Sequence, residues 1–165
     1  MNRLKYISHY PEHIQQQAQS LLDQNKLGAL LQAKYPKVHT FQSNKALYEY
    51  AIAIKNSYMR KSSPLSKVEY SDKISALNAL GLHSRISRVH GGKLKAKKEI
   101  RIDTRFKQMP LEFLRMIVVH ELAHLKEMDH NKAFYQLCQH MEPAYHQLEL
   151  DTRLWLLCRE QPDHN

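Results

Sequence analysis

The sequence predicts an α+β fold: helices first, then a small antiparallel sheet, then a helix bearing a histidine pair, and further helices to the end. Three observations carry that reading. Apolar side chains recur at helical intervals through the first third of the chain and again from Leu111 onward. Between them, from Val68 to Phe106, the pattern changes to strand-like runs bounded by turn residues. At 165 residues and 42% hydrophobic content, the chain has the size of one ordinary domain that can bury a core without disulfides. The expectation is one domain, 1–165, with a helical part at 1–62, a sheet at 66–106 and the helices of the histidine site at 110–160.

Pro11 opens the first helical pattern, with Ile14, Ala18, Leu21 and Leu22 on one face. Gly28 is expected to interrupt it, after which Leu30, Leu31 and Tyr35 continue to Pro36. A second helix follows Asn44, striped by Leu47, Ala51, Ile54 and Tyr58. Ser62-Ser63-Pro64 is a loop and not a domain linker, because the strands after it would lack a core of their own. Those strands are Val68-Glu69-Tyr70 with a Ser71-Asp72 turn, Leu82 to Val89, a Gly91-Gly92 turn, and Glu99 to Phe106 with Ile100 and Ile102 facing inward. Lys107-Gln108-Met109 then leads to Pro110, a natural first helical residue, and to Leu111, Leu114, Ile117, Val118, Leu122 and Leu125 at helical spacing. No repeat or low-complexity segment interrupts this order.

On that helix stands His120-Glu121-Leu122-Ala123-His124. Random placement would produce this five-residue pattern roughly four times in a hundred chains of such composition, so its helical context carries the argument. Histidines four apart lie on one helical face and can grip one metal ion, while the glutamate can take a proton from a water on that metal. Zinc needs a third protein ligand, and His130 is the nearest candidate. An unbroken helix would turn His130 about 240° from His124 and lift it about 9 Å, so the chain must leave the helix between Lys126 and Asp129. Asp129 or Asn131 would cap a following helix with Ala133, Phe134, Leu137, Cys138 and Met141 on its apolar face. His140, His146, Glu142, Glu149 and Asp151 could support a ligand or replace His130, although each also suits an ordinary helix face. Tyr135, Tyr145 or Arg88 could stabilise an oxyanion. Trp155, among Leu154, Leu156 and Leu157, marks a C-terminal packing helix.

The net charge of +9 attracts polyanions in general. Lys93, Lys95, Lys97, Lys98, Arg101 and Arg105 crowd the segment before the histidine helix, with Arg85 and Arg88 across the Gly91-Gly92 turn. Arg88, Lys93 and Lys95 are the candidate substrate-binding cations; the alternative is a solvated, lysine-protected sheet edge. No Walker-type loop and no Cys-Cys-His-His finger is present, which excludes a dedicated P-loop ATPase and a zinc-finger DNA reader. Cys138 and Cys158 fit buried small side chains in a reducing compartment. The opening Met1-Asn2-Arg3-Leu4-Lys5-Tyr6 has no apolar leader, and no apolar run would span a bilayer, so a cytoplasmic protein is expected.

Val119-His120-Glu121-Leu122-Ala123-His124-Leu125-Lys126, then His130-Asn131, then Phe134, resembles the YgjP-like family of small zinc metallopeptidase-type proteins. The metzincin spacing is matched only in part, since Glu127 stands where those proteins carry glycine. The family resemblance extends over most of the chain and implies a zincin-like arrangement, with His120, His124 and His130 as zinc ligands and Glu121 as general base. One departure is visible: many relatives carry a Trp-Gly-Ser-Cys-like segment where this chain reads Arg88-Val89-His90-Gly91-Gly92. The resemblance implies a zinc-dependent peptide hydrolase, and alternatively a nucleotide pyrophosphatase splitting UTP, with magnesium accompanying the nucleotide. A third reading, from charge alone, is a nucleic-acid-binding module with structural zinc.

Overall fold

The first helix, α1 (Glu12–Asp23), starts after Pro11 and ends at Gln24. A computed structural model describes residues 4–75, 87–90 and 95–160, with backbone alone for 87–90 and 95–97. The break before α2 (Leu27–Lys34) falls at Asn25 and not at the expected Gly28, which lies inside α2. Asn25 takes φ 56°, its N–H reaching Leu22 O while the Lys26 N–H reaches Leu21 O. This closes a Schellman cap, and asparagine is one of the few side chains that tolerates left-handed backbone there. Helix α3 (Asn44–Tyr58) is capped by the Ser43 hydroxyl, which accepts from Ala46 N–H at 3.0 Å. Leu47, Ala51 and Ile54 are buried as expected, whereas Tyr58, at the end of the stripe, is 41% exposed.

Strands β1 (Leu65–Ser71), β2 (Ser87–His90) and β3 (Lys95–Asp103) form one sheet in the order β1-β3-β2. The expected all-antiparallel sheet is corrected: β2 and β3 are antiparallel, but β1 and β3 run parallel. Alternation along a strand determines which face is buried and leaves partner and direction open, because a pleat has the same period of two in either pairing. Val68 pairs with Ile100 and Tyr70 with Ile102, so four core side chains lie side by side. The lysine-bearing strand β3 is therefore the central one among the described strands, not an edge. It also begins earlier than expected, and the stretch read as its end, Thr104 to Phe106, belongs to a 3-10 turn, Thr104–Gln108, that buries Phe106. Residues 82–86 of the second expected strand and the Gly91-Gly92 turn lie outside the described residues.

Met109 and Pro110 lead into α4 (Leu111–Ala123), followed by α5 (Lys132–Met141) and α6 (Tyr145–Arg159). Every residue from Met116 to Leu125 is buried, so α4 is the central helix, enclosed on all faces instead of one. It packs against α3, α5, α6 and β3. Helix α6 brings unusual buried polarity to that contact. Arg153 donates to Tyr6 O at 2.8 Å, and Asp151 accepts from Tyr35, from Lys34 at 3.0 Å and from Gln147 at 2.9 Å. These bonds tie α2 and the 3-10 turn Lys5–Ile7 to α6, which backs the histidine helix. Among the described residues, no helix is long and apolar enough to cross a membrane.

Candidate metal centre

The last turn of α4 presents His120 and Glu121, and His124 is the residue that terminates it. Regular helix stops at Ala123, three residues sooner than the sequence required, and the chain continues as a turn through Lys126. The reason is local: His124 Nδ1 lies 2.9 Å from Glu127 O, a carbonyl drawn back over the helix end by that bond. Asn131 starts the next helix, its side chain accepting from Phe134 N–H at 2.9 Å. Of the two expected caps it is Asn131 that serves. The reversal places His130 beside the other two imidazoles, with ring centroids 5.0 Å from His120 and 4.8 Å from His124.

One ligand atom from each of His120, His124 and His130 lies within 4.8 Å of the others. His124 Nε2 and His130 Nε2 stand 3.0 Å apart. A carbonyl only accepts, so His124 Nδ1 carries the hydrogen, and in the neutral ring Nε2 then holds a lone pair. Three imidazoles with ligand atoms this close suit a borderline cation such as zinc, so the donor set fits the ion that the spacing suggests. Phe134, fully buried, packs against all three rings at centroid distances of 5.0, 4.4 and 5.0 Å and restricts their orientation. The sequence marks Phe134 as an apolar-face residue and part of the family motif, with no sign of this contact to the three rings.

Glu121 is 4% exposed, and burial raises its carboxyl to about 8. Tyr145 lies against the centre, its hydroxyl 2.7 Å from His120 Nδ1 and 2.9 Å from Glu149 Oε1. Burial, and then the charge of Glu149, push that phenol well above its usual range. A hydroxyl held on both sides is committed, so Tyr145 is removed from the oxyanion candidates, while the ring of Tyr135 sits 6.3 Å from that of His130. The spacing of Tyr145 and Glu149, four apart on one helix, was the available signal for their link. Glu142 pairs with Arg115 at 3.0 Å, His146 packs on Tyr135, and His140 meets the ring of Tyr58. None of these belongs to the three-histidine group.

Of the expected substrate cations, two fall on the described strands. Arg88 lies on β2 opposite Lys97, and Lys95 on β3 opposite His90, as backbone positions; Lys93 lies outside the described residues. Arg101 is 3.8 Å from Glu69, and Arg105 bonds Asp103 and Glu160 at 2.9 and 2.8 Å, so these two support the fold. A cleft of about 600 Å³ lies elsewhere, lined by Arg60, Lys61, Ser62, Leu125 and Lys126 among others, the last two directly following His124. Strand residues drew attention in the sequence because they cluster there; Arg60 and Lys61 reach this cleft only through the tertiary fold.

A UTP pyrophosphatase of Escherichia coli (strain K12) is 57% identical over 157 residues, covering 94% of this chain and 94% of that protein. A family model described as YgjP-like, metallopeptidase domain, matches residues 85–153. The chain belongs to the YgjP-like family. The matched span of this YgjP-like protein contains all three histidines and Glu121. Both findings make it a hydrolase, so the non-enzymatic nucleic-acid module allowed by its charge is set aside. No solved structure matches the YgjP-like chain.

Proposed function

We propose that the protein hydrolyses UTP to UMP and diphosphate, with His120, His124 and His130 holding one zinc ion and Glu121 acting as general base. The observation that carries this reading is the 57% identity, over 94% of both proteins, with a UTP pyrophosphatase. When bound, zinc supplies an acidified water, positive charge at the bond under attack, and a field that favours the anionic form of Glu121. Glu121, shielded from bulk water, accepts the proton of the attacking water and passes it on to the leaving group. Its burial suits that task, because a carboxyl lifted toward neutrality returns a proton more readily than an ordinary one.

Phe134 holds the imidazoles in place while the charge changes beside them. Arg60, Lys61 and Lys126 offer cations near the end of α4 that can neutralise the departing diphosphate. Arg88, Lys93 and Lys95 are proposed as further phosphate contacts, and magnesium is expected to enter with the nucleotide. The protein would work in the cytoplasm, where such substrates are found.

Peptide-bond hydrolysis by the same residues is the second reading, favoured by the family's description as a metallopeptidase domain. For it, β2 is one of the two outer strands among those described, with β1, and offers backbone groups to an added strand. The deciding experiment is diphosphate release from a panel of nucleoside triphosphates by metal-quantified protein, with Glu121→Gln and chelated protein alongside. Release from UTP that both treatments abolish supports the first reading. Absence of release, together with chelator-sensitive cleavage of an unfolded protein, would replace it by the second.

A further inference from the structure

We propose that Tyr145 and Glu149 are positioning residues that hold His120 with hydrogen on Nδ1, leaving the Nε2 lone pair as its ligand atom. This rests on the reading of His120 as a zinc ligand.

The argument is a count of protons along a buried chain of bonds. Glu149 is 6% exposed, and both its oxygens are engaged: Oε1 faces Tyr145 OH at 2.9 Å, while Oε2 accepts from Tyr10 OH at 3.2 Å and lies 3.5 Å from Arg153 Nε. Arg153, itself 1% exposed, is an always-charged partner anchored to Tyr6 O. A carboxyl facing two phenols and a guanidinium is an acceptor at each oxygen. Tyr145 has a single hydroxyl proton and donates it to Glu149. Toward His120 it can then only accept, and at 2.7 Å the hydrogen of that bond must come from His120 Nδ1.

His120 is thereby set by a side-chain relay, and His124 by the carbonyl of Glu127. The two devices have one result, an imidazole whose Nε2 bears the lone pair. A ring with the other tautomer would present an N–H to the cation and would have to rearrange before binding it. Glu149 and Tyr145 are one helical turn apart, so both partners come from α6, and the tight packing of α6 on α4 serves the histidine as well as the core.

Three measurements test this. Nitrogen-15 NMR of the zinc-free protein, with the His120 ring assigned by its loss in His120→Asn, is expected to show protonated Nδ1 and bare Nε2. In Tyr145→Phe the same ring should become a mixture of tautomers. Zinc affinity, by competition with a chromophoric chelator, should weaken about 10–100-fold in Tyr145→Phe and in the same direction in Glu149→Gln. The visible spectrum of the cobalt-substituted protein should shift with them. Tyr35→Phe removes another phenol bonded to a buried α6 carboxylate but without contact to His120, and it should leave affinity and spectrum unchanged.

A His120 ring protonated on Nε2 in the wild type overturns the proposal, as does wild-type zinc affinity in a folded Tyr145→Phe. If Tyr145→Phe does not fold, the wild-type tautomer decides alone. Failure of the ligand reading would look different: wild-type protein that takes up no zinc, whatever the tautomer.

Discussion

His39 and His124 are about equally buried, 7% and 4% exposed, yet their surroundings give them opposite uses. Backbone groups meet both nitrogens of His39: Nε2 lies 2.7 Å from Phe106 O, and Nδ1 accepts from Phe41 N–H at 3.0 Å. Its ring is a staple between the loop before α3 and the turn before α4. In His124 the backbone meets Nδ1, and Nε2 is turned toward His130. Burial of a histidine therefore says little by itself; the identity of the partner on each nitrogen separates structural from ligand roles.

The largest expected effect breaks the chemistry and spares the centre. Glu121→Gln should lower turnover by about 10²–10⁴-fold with zinc content unchanged, whereas His130→Ala should lose zinc itself; parallel activity and metal analysis would show it. Equal zinc loss in both variants would make Glu121 part of the metal site instead of the base.

Next, Phe134→Ala removes the ring shared by the three imidazoles. It should cost about 3–5 kcal/mol in urea unfolding and weaken zinc binding as well. A stability loss with wild-type zinc affinity would confine Phe134 to packing.

A smaller effect sharpens the contrast at His39. Burial, opposed in part by the Phe106 carbonyl, lowers its pKa from the ordinary 6.5. The unfolded chain then binds a proton before the folded one does. Stability from this group is complete above about pH 6.5 and falls as pH drops below that toward the folded value. Unfolding midpoints measured between pH 8 and 5 should decline less steeply in His39→Gln, which can still meet both backbone partners. Identical slopes would reject the role.

Smallest of all, Arg101→Ala should change stability by under about 1 kcal/mol and leave KM for UTP unaltered, since its cation is spent on Glu69. Lys126→Ala, in the cleft, should raise KM. The reverse pattern would return the phosphate site to the central strand.

Much of the site was legible because its information is local. The spacing of His120 and His124 places two rings on one helical face, the distance to His130 demands a break, and Asn131 caps the helix that follows it. Even so, the break comes at Ala123, where the His124 ring captures Glu127 O, a side-chain-to-backbone bond that periodicity does not register. Gly28 misled because glycine is the commonest breaker, while the left-handed residue is Asn25. The basic segment was legible as a cluster but not in its partners. Its density in sequence does not tell which cations meet carboxylates from elsewhere, and Glu69 and Glu160 come from distant parts of the chain.

By itself the sequence determined the helices and strands, the apolar faces that bury them, and the pair of histidines with a glutamate between, since each depends on neighbours within a turn or two of chain. Tertiary structure alone decided that β3 lies between β1 and β2, that Arg101 and Arg105 serve the fold, and that Tyr145 and Glu149 stand behind His120. Those are contacts between residues far apart in the chain. They form only when whole elements dock, and docking is selected by the burial of entire faces, which no local pattern specifies.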